Sequence, residues 1–119
     1  MGTFCVSITH ARNDTDKATV GFVVANAAAG SDQETRVFLS TEGVWLAKAG
    51  YADDIHEDGF APLKELMTNF VAAGGKVFVC SPCCKKRGID ESQLIEGATI
   101  VGGAKLVEWL ANGSPCVSY

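Results

Sequence analysis

Lys76-Val-Phe-Val-Cys-Ser-Pro-Cys-Cys-Lys-Lys-Arg-Gly88 is the stretch from which the rest of the chain can be read. Val77-Phe78-Val79, entered through Gly74-Gly75, reads as a short buried strand that delivers Cys80. Ser81-Pro82 ends it, because proline lacks an amide donor and pushes its predecessor out of helical geometry. Cys80, Cys83 and Cys84 fall within five positions, and Lys85, Lys86 and Arg87 follow directly. The thiolate is the reactive form of cysteine, and neighbouring cations or a helix N-terminus lower a thiol's pKa. The grouping therefore predicts sulfur chemistry at Cys80 with Cys83 as its companion. Cys84 and the three cations are in support.

Working outward, strands and helices alternate. Residues 3–9 are rich in β-branched and aromatic side chains and read as a first strand, with Cys5 a small buried hydrophobe inside it. Asn13 or Asp14 caps a helix over 15–29. That helix is apolar nearly all round, which predicts burial on more than one side and hence a homo-oligomer. Residues 34–40 read as a second strand, 44–49 as a short helix, and 51–60 as an acidic loop around His56. A helix from Pro62 leads to the central stretch, Asp90 caps a further turn, and 97–101 read as a fourth strand. A helix over 104–111 and a strand over 115–119 complete the order. This alternation predicts one α/β domain over residues 1–119. Its architecture would be a three-layer sandwich around a mostly parallel, roughly five-stranded sheet. Ligands of such sheets collect beyond the carboxyl ends of the strands, which is where Cys80 falls.

Composition narrows the function classes. Fourteen acidic against ten basic residues leave a net charge of -4, so no basic face is expected for nucleic acid. No apolar run is long enough for a membrane span, and no signal peptide is evident, which predicts a cytoplasmic protein. Five cysteines, an odd number, argue against a disulfide framework. No resident metal or cofactor is expected. His10, just after the first strand, is a candidate base or hydrogen-bond partner for Cys80, and Glu42 a candidate rim residue after the second.

These residues together resemble the DsrE/DsrF-like family of small sulfur-handling proteins. The resemblance is carried by Phe38-Leu-Ser-Thr-Glu-Gly-Val44, Gly74-Gly-Lys-Val-Phe-Val-Cys80, Arg87-Gly-Ile89 and the closing Val117-Ser-Tyr119. It implies a flavodoxin-like sandwich assembling as trimers or hexamers. In sulfur-relay members of that family a cysteine at the end of this strand, eight residues before the glycine of an Arg-Gly pair, carries a persulfide. Cys80 stands at that distance from Gly88. Relay members often have small apolar residues where Cys83 and Cys84 stand here, while another branch shows Cys-x-x-Cys.

Three chemistries follow. In the first, Cys80 accepts a sulfane sulfur from a donor protein and passes it to an acceptor thiol, as a carrier or sulfurtransferase. In the second, Cys80 and Cys83 form a thiol–disulfide redox pair. In the third, Cys80, Cys83 and Cys84 hold a soft metal, although zinc would need a fourth ligand from elsewhere.

Overall fold

The computed structural model describes residues 2–119, so Met1 lies outside the described residues. Five strands, β1 (Thr3–Ile8), β2 (Glu34–Leu39), β3 (Lys76–Cys80), β4 (Ala98–Val101) and β5 (Cys116–Ser118), form one sheet in the order β4-β3-β2-β1-β5. Every pairing is parallel. Four helices, α1 (Thr15–Gly30), α2 (Leu63–Ala72), α3 (Ser81–Arg87) and α4 (Gly103–Ala111), cover its two faces. The expected α/β sandwich is what forms.

Alternation along the strands divides the sheet into unequal faces. Val6, Ile8, Val37, Leu39, Val77 and Val79 are fully buried on one face. Helix α1 lies so close to it that a methyl group on Gly21 would stand 2.6 Å from the Ile8 side chain. Helix α2 packs beside α1 through Phe22 and Phe70, whose rings meet edge-on at 6.0 Å. Asn26 donates to the Leu66 carbonyl across the same seam. The sheet on one side and α2 on another bury Ala18, Phe22 and Ala25 of α1, while Val20, Val23 and Val24 stay half-buried. Helix α4 is the thinly covered element: none of its residues is fully buried, and Val107 is 66% exposed.

Handedness then places the reactive end. The connections β1–β2, β2–β3 and β3–β4 step across the sheet in one direction, so right-handed crossovers keep them on one face. The connection β4–β5 steps back over the whole sheet and carries α4 to the other face. There Trp109 lies over the Arg36 guanidinium at 3.5 Å. Connections leaving β3 and β4 therefore diverge, and the crevice between their carboxyl ends is the topological switch point of the sheet. Cys80 and Val101 are register partners at that point.

Two local readings change. The segment after β2 winds as a 3-10 turn over Thr41–Ala47, earlier than the helix expected over 44–49. It starts directly at the strand end because Gly43 lets the backbone lie against the Ile8 carbonyl. The acidic loop is also less free than its composition suggests. Asp54 accepts from Arg12 at 3.1 Å, Glu57 accepts from the Thr15 hydroxyl, and His56 Nε2 lies 2.7 Å from the Phe60 carbonyl.

Candidate functional site

Helix α3 begins without a linking loop: Cys80 is both the last residue of β3 and the N-cap of α3. Pro82 fits the first turn, where its missing amide hydrogen has no intrahelical acceptor anyway. Gly88, at φ 68°, closes the helix in the left-handed conformation that a C-terminal cap requires. The N-cap and the seven residues of the helix thereby hold three thiols in two environments. Cys84 is buried among the core residues, whereas Cys80 and Cys83 are half-buried at the surface edge of that core. All five cysteines of the chain are free thiols.

The turn after β2 holds Cys83 in place. Thr41 donates its backbone N–H to Cys83 Sγ at 3.2 Å. It does so in the left-handed region, at φ 50°, an uncommon place for a β-branched residue. Such strain persists only where surrounding bonds over-determine it. Here the Thr41 hydroxyl is bonded to the Thr9 carbonyl at 2.9 Å, and the turn is anchored by Ser40 N–H donating to the Ile8 carbonyl. Arg87 fixes the other side: its Nε donates to Glu42 Oε2 at 2.9 Å and its Nη1 to the Cys83 carbonyl at 3.1 Å. The ends of β1, β2 and β3 are joined through Thr9, Thr41 and Cys83.

Electrostatics at Cys80 run opposite to the sequence expectation. Burial is the dominant influence and pushes the Cys80 thiol above its ordinary value. The backbone N–H of Cys83 works in the other direction, though the Cys80 sulfur makes no full capping bond. The nearby Cys83 thiol raises the Cys80 pKa further, and Arg87 lowers it by less. Cys84 is also raised, chiefly by burial. Lys85 and Lys86 are exposed in the last turn of α3, where they complement the helix dipole instead of priming Cys80. Among the described residues Arg87 is the cation that acts on Cys80 and Cys84, and it is partly neutralised by Glu42. Cys80 therefore rests as a thiol.

Replacing Glu42 by Gln removes that counter-charge and is expected to raise the rate of Cys80 alkylation at pH 7 by about twofold to threefold. In both proteins the rate should keep climbing with pH beyond 9.0, the ordinary thiol value, because the Cys80 pKa is raised. Iodoacetamide labelling followed by peptide mass spectrometry reads both effects. A plateau below pH 9 would contradict the burial argument.

Of the residues expected at the site, Cys80, Cys83, Arg87 and Glu42 are brought together. His10 is not joined to a thiol: its Nδ1 lies 3.1 Å from Thr9 Oγ1, on the same end of the sheet. Among the described residues no three His, Cys, Asp or Glu side chains group as metal ligands, so the three-thiol metal centre has no geometric support. Thr41 was not legible as a site residue, since its sequence signal was only a turn between a strand and Glu42-Gly43. A cleft of about 450 Å³ lies elsewhere, between Leu46, Met67, Val71 and Ile95, and no thiol lines it.

The DsrE/DsrF-like family model matches residues 3–118, nearly the whole chain. The chain belongs to the DsrE/DsrF-like family. Among related sequences, uncharacterized protein MJ0989 of Methanocaldococcus jannaschii is 31% identical over 116 residues, covering 98% of each chain. Uncharacterized protein MK0008 of Methanopyrus kandleri is 30% identical over 114 residues, covering 96% of this chain and 91% of its own. Another M. jannaschii protein, MJ0760, is 30% identical over 96 residues, and that match spans only 35% of its length. Among solved structures, YchN of E. coli superposes with a TM-score of 0.71 at 16% identity, covering 98% of this chain and 99% of that one. MTH1491 of Methanobacterium thermoautotrophicum gives 0.68 at 15% identity, covering 99% and 98%. At these identities the structural likeness speaks to the fold. Among the described residues no helix is long and apolar enough to cross a membrane.

Proposed function

We propose that this DsrE/DsrF-like protein is a sulfur carrier or sulfurtransferase that holds a persulfide on Cys80. The observation carrying the proposal is the position of Cys80: half-buried, at the switch point of a parallel sheet, with a second thiol held beside it by Thr41. Cys80, once deprotonated, attacks the outer sulfur of a donor persulfide. The donor S–S bond breaks, the donor leaves as its thiolate, and Cys80 carries –S–SH. An acceptor thiolate then attacks that outer sulfur and Cys80 leaves as the thiolate, so the cycle needs no net oxidant. A raised Cys80 pKa suits a carrier, since the resting thiol reacts slowly with anything except a docked partner that takes its proton.

The family resemblance supports a cytoplasmic homo-oligomer, trimer or hexamer, with donor and acceptor proteins as partners. In this chain the exposed apolar side of α4 is the better surface for self-association than α1. Light scattering coupled to gel filtration measures the mass. A second reading, a Cys80–Cys83 redox pair, is favoured by the interaction of those two thiols.

Intact-mass spectrometry after incubation with a sulfane-sulfur donor separates the two. A gain of about 32 Da, one sulfur atom, is expected on the wild-type chain and on Cys84→Ser. It is expected to vanish in Cys80→Ser and to last longer in Cys83→Ser, which lacks the resolving thiol. Sulfur retained by Cys80→Ser overturns the carrier reading. A loss of about 2 Da on treatment with a small disulfide in the absence of any sulfur donor, requiring both Cys80 and Cys83, supports the redox pair.

A further inference from the structure

The chain carries a second pair of thiols, away from α3 and unused by the chemistry above. Cys5 and Cys116 are direct register partners between β1 and β5. Adjacent strands lie about 4.8 Å apart, and partners in register project to the same face of the sheet. A disulfide needs Cα atoms about 4.4–6.8 Å apart, and register partners on adjacent strands fall within that range. The row continues into β2 and β3, because Cys5 pairs with Arg36 and Arg36 with Lys76. A cation therefore stands next to Cys5 inside the sheet.

Exposure divides the roles. Cys5 is 1% exposed, whereas Cys116 is exposed on an edge strand of three residues. Strand β5 pairs on one side only, with β1, and its flanking bonds are Cys5 N–H to the Pro115 carbonyl, Tyr119 N–H to the Ser7 carbonyl, and Thr9 N–H and hydroxyl to the Tyr119 carbonyl. So short an edge opens locally at little cost, which is what gives a reagent bound to Cys116 access to the buried partner.

We propose that Cys5 and Cys116 form a second dithiol site, oxidised by low-molecular-weight disulfides to a bond that staples β5 to β1. The exchange proceeds in two displacements. Cys116, as thiolate, attacks a reagent R–S–S–R; the reagent bond breaks, one R–S⁻ leaves and takes up the proton that Cys116 released, and Cys116 carries –S–S–R. Cys5, deprotonated as the edge opens, attacks the Cys116 sulfur, and the second R–S⁻ leaves and takes up that proton. Two protein thiols are oxidised and one reagent disulfide is reduced to two thiols. The new bond closes nearly the whole chain into one loop, so most of its stabilising effect falls on the unfolded state. The site is independent of Cys80, and its test does not use persulfide.

The full chain is incubated with oxidised glutathione, free thiols are blocked with N-ethylmaleimide, and the product is digested without reduction. The expected result is a linked Cys5–Cys116 peptide in a chain that stays a monomer on a denaturing gel. The unfolding midpoint should rise by about 10 °C and return with dithiothreitol. The linked peptide should persist in a Cys80→Ser/Cys83→Ser/Cys84→Ser variant and disappear in Cys116→Ser, whose exposed position leaves folding intact. A reaction that stops at glutathione on Cys116 with Cys5 free overturns the proposal. So does a bond from Cys116 to a second copy, or a midpoint unchanged after oxidation.

Discussion

Gly43→Ala lowers the unfolding midpoint by about 10 °C and releases Cys83, although the change adds one methyl group. A Cβ at position 43 would stand 2.1 Å from the Ile8 carbonyl oxygen and 2.9 Å from its carbon. Both are backbone atoms of β1, so no side chain can swing aside. The Ile8 carbonyl is already the acceptor for Ser40 N–H at 3.2 Å, and Gly43 N–H donates to the Ser40 carbonyl at 2.9 Å. Relief requires the turn to lift off the strand end. That costs about 1–3 kcal/mol for the overpacking, with about 1 kcal/mol more for a lost hydrogen bond. Thr41 lies two residues away and would withdraw its N–H from Cys83, so Cys83 should alkylate faster in the variant. Gly102→Ala is the control, because a methyl group there meets nothing within 4 Å. Its midpoint should stay within about 2 °C of the parent. A Gly43→Ala midpoint that also stays there would show that the close approach is not needed.

Alkaline stability should fall by on the order of 4 kcal/mol through the Cys5 thiol. Burial, reinforced by the adjacent Cys116, pushes the Cys5 thiol from 9.0 up to about 12. Between those values the unfolded chain has lost the Cys5 proton while the folded chain keeps it. The folded state then binds more protons, so stability drops as pH rises. The contribution is fully present below pH 9 and declines as pH approaches 12. Urea titrations between pH 8 and 11, with reductant present, give the slope. Cys5→Ala loses packing at every pH but should show the shallower decline, since it lacks only the Cys5 thiol. Parallel slopes would mean that the Cys5 thiol ionises in the folded state as readily as in the unfolded one.

Several features of this molecule are local in sequence, and those were legible there. Val77-Phe-Val-Cys80 is a buried strand because its own side chains are apolar and Gly74-Gly75 and Pro82 bound it. Asp14 caps α1 because an aspartate before a helix finds an orphan amide, here Lys17 N–H at 3.0 Å. Parallel order follows from the alternation of strands with helices. The site was half legible: three thiols in five positions mark α3 whatever the fold. Their ionisation was read in the wrong direction. Sequence adjacency put Lys85 and Lys86 beside Cys80, while the helix turned both to solvent and burial outweighed Arg87.

Partners distant along the chain were not legible, because they depend on which strand lies next to which. Thr41 meets Cys83 only because β2 and β3 are neighbours in register and the turn after β2 folds toward α3. Cys5 meets Cys116 only because the β4–β5 crossover carries the last strand across the entire sheet to the far side of β1. By itself the amino-acid order determined the elements, their parallel sense and the residues able to do sulfur chemistry, since each of these rests on short-range patterns of polarity and turn chemistry. Tertiary structure alone decided which thiols are paired, which cation acts on them and which sulfur keeps its proton. Those outcomes are set by burial and strand register, and neither exists until the sheet has assembled.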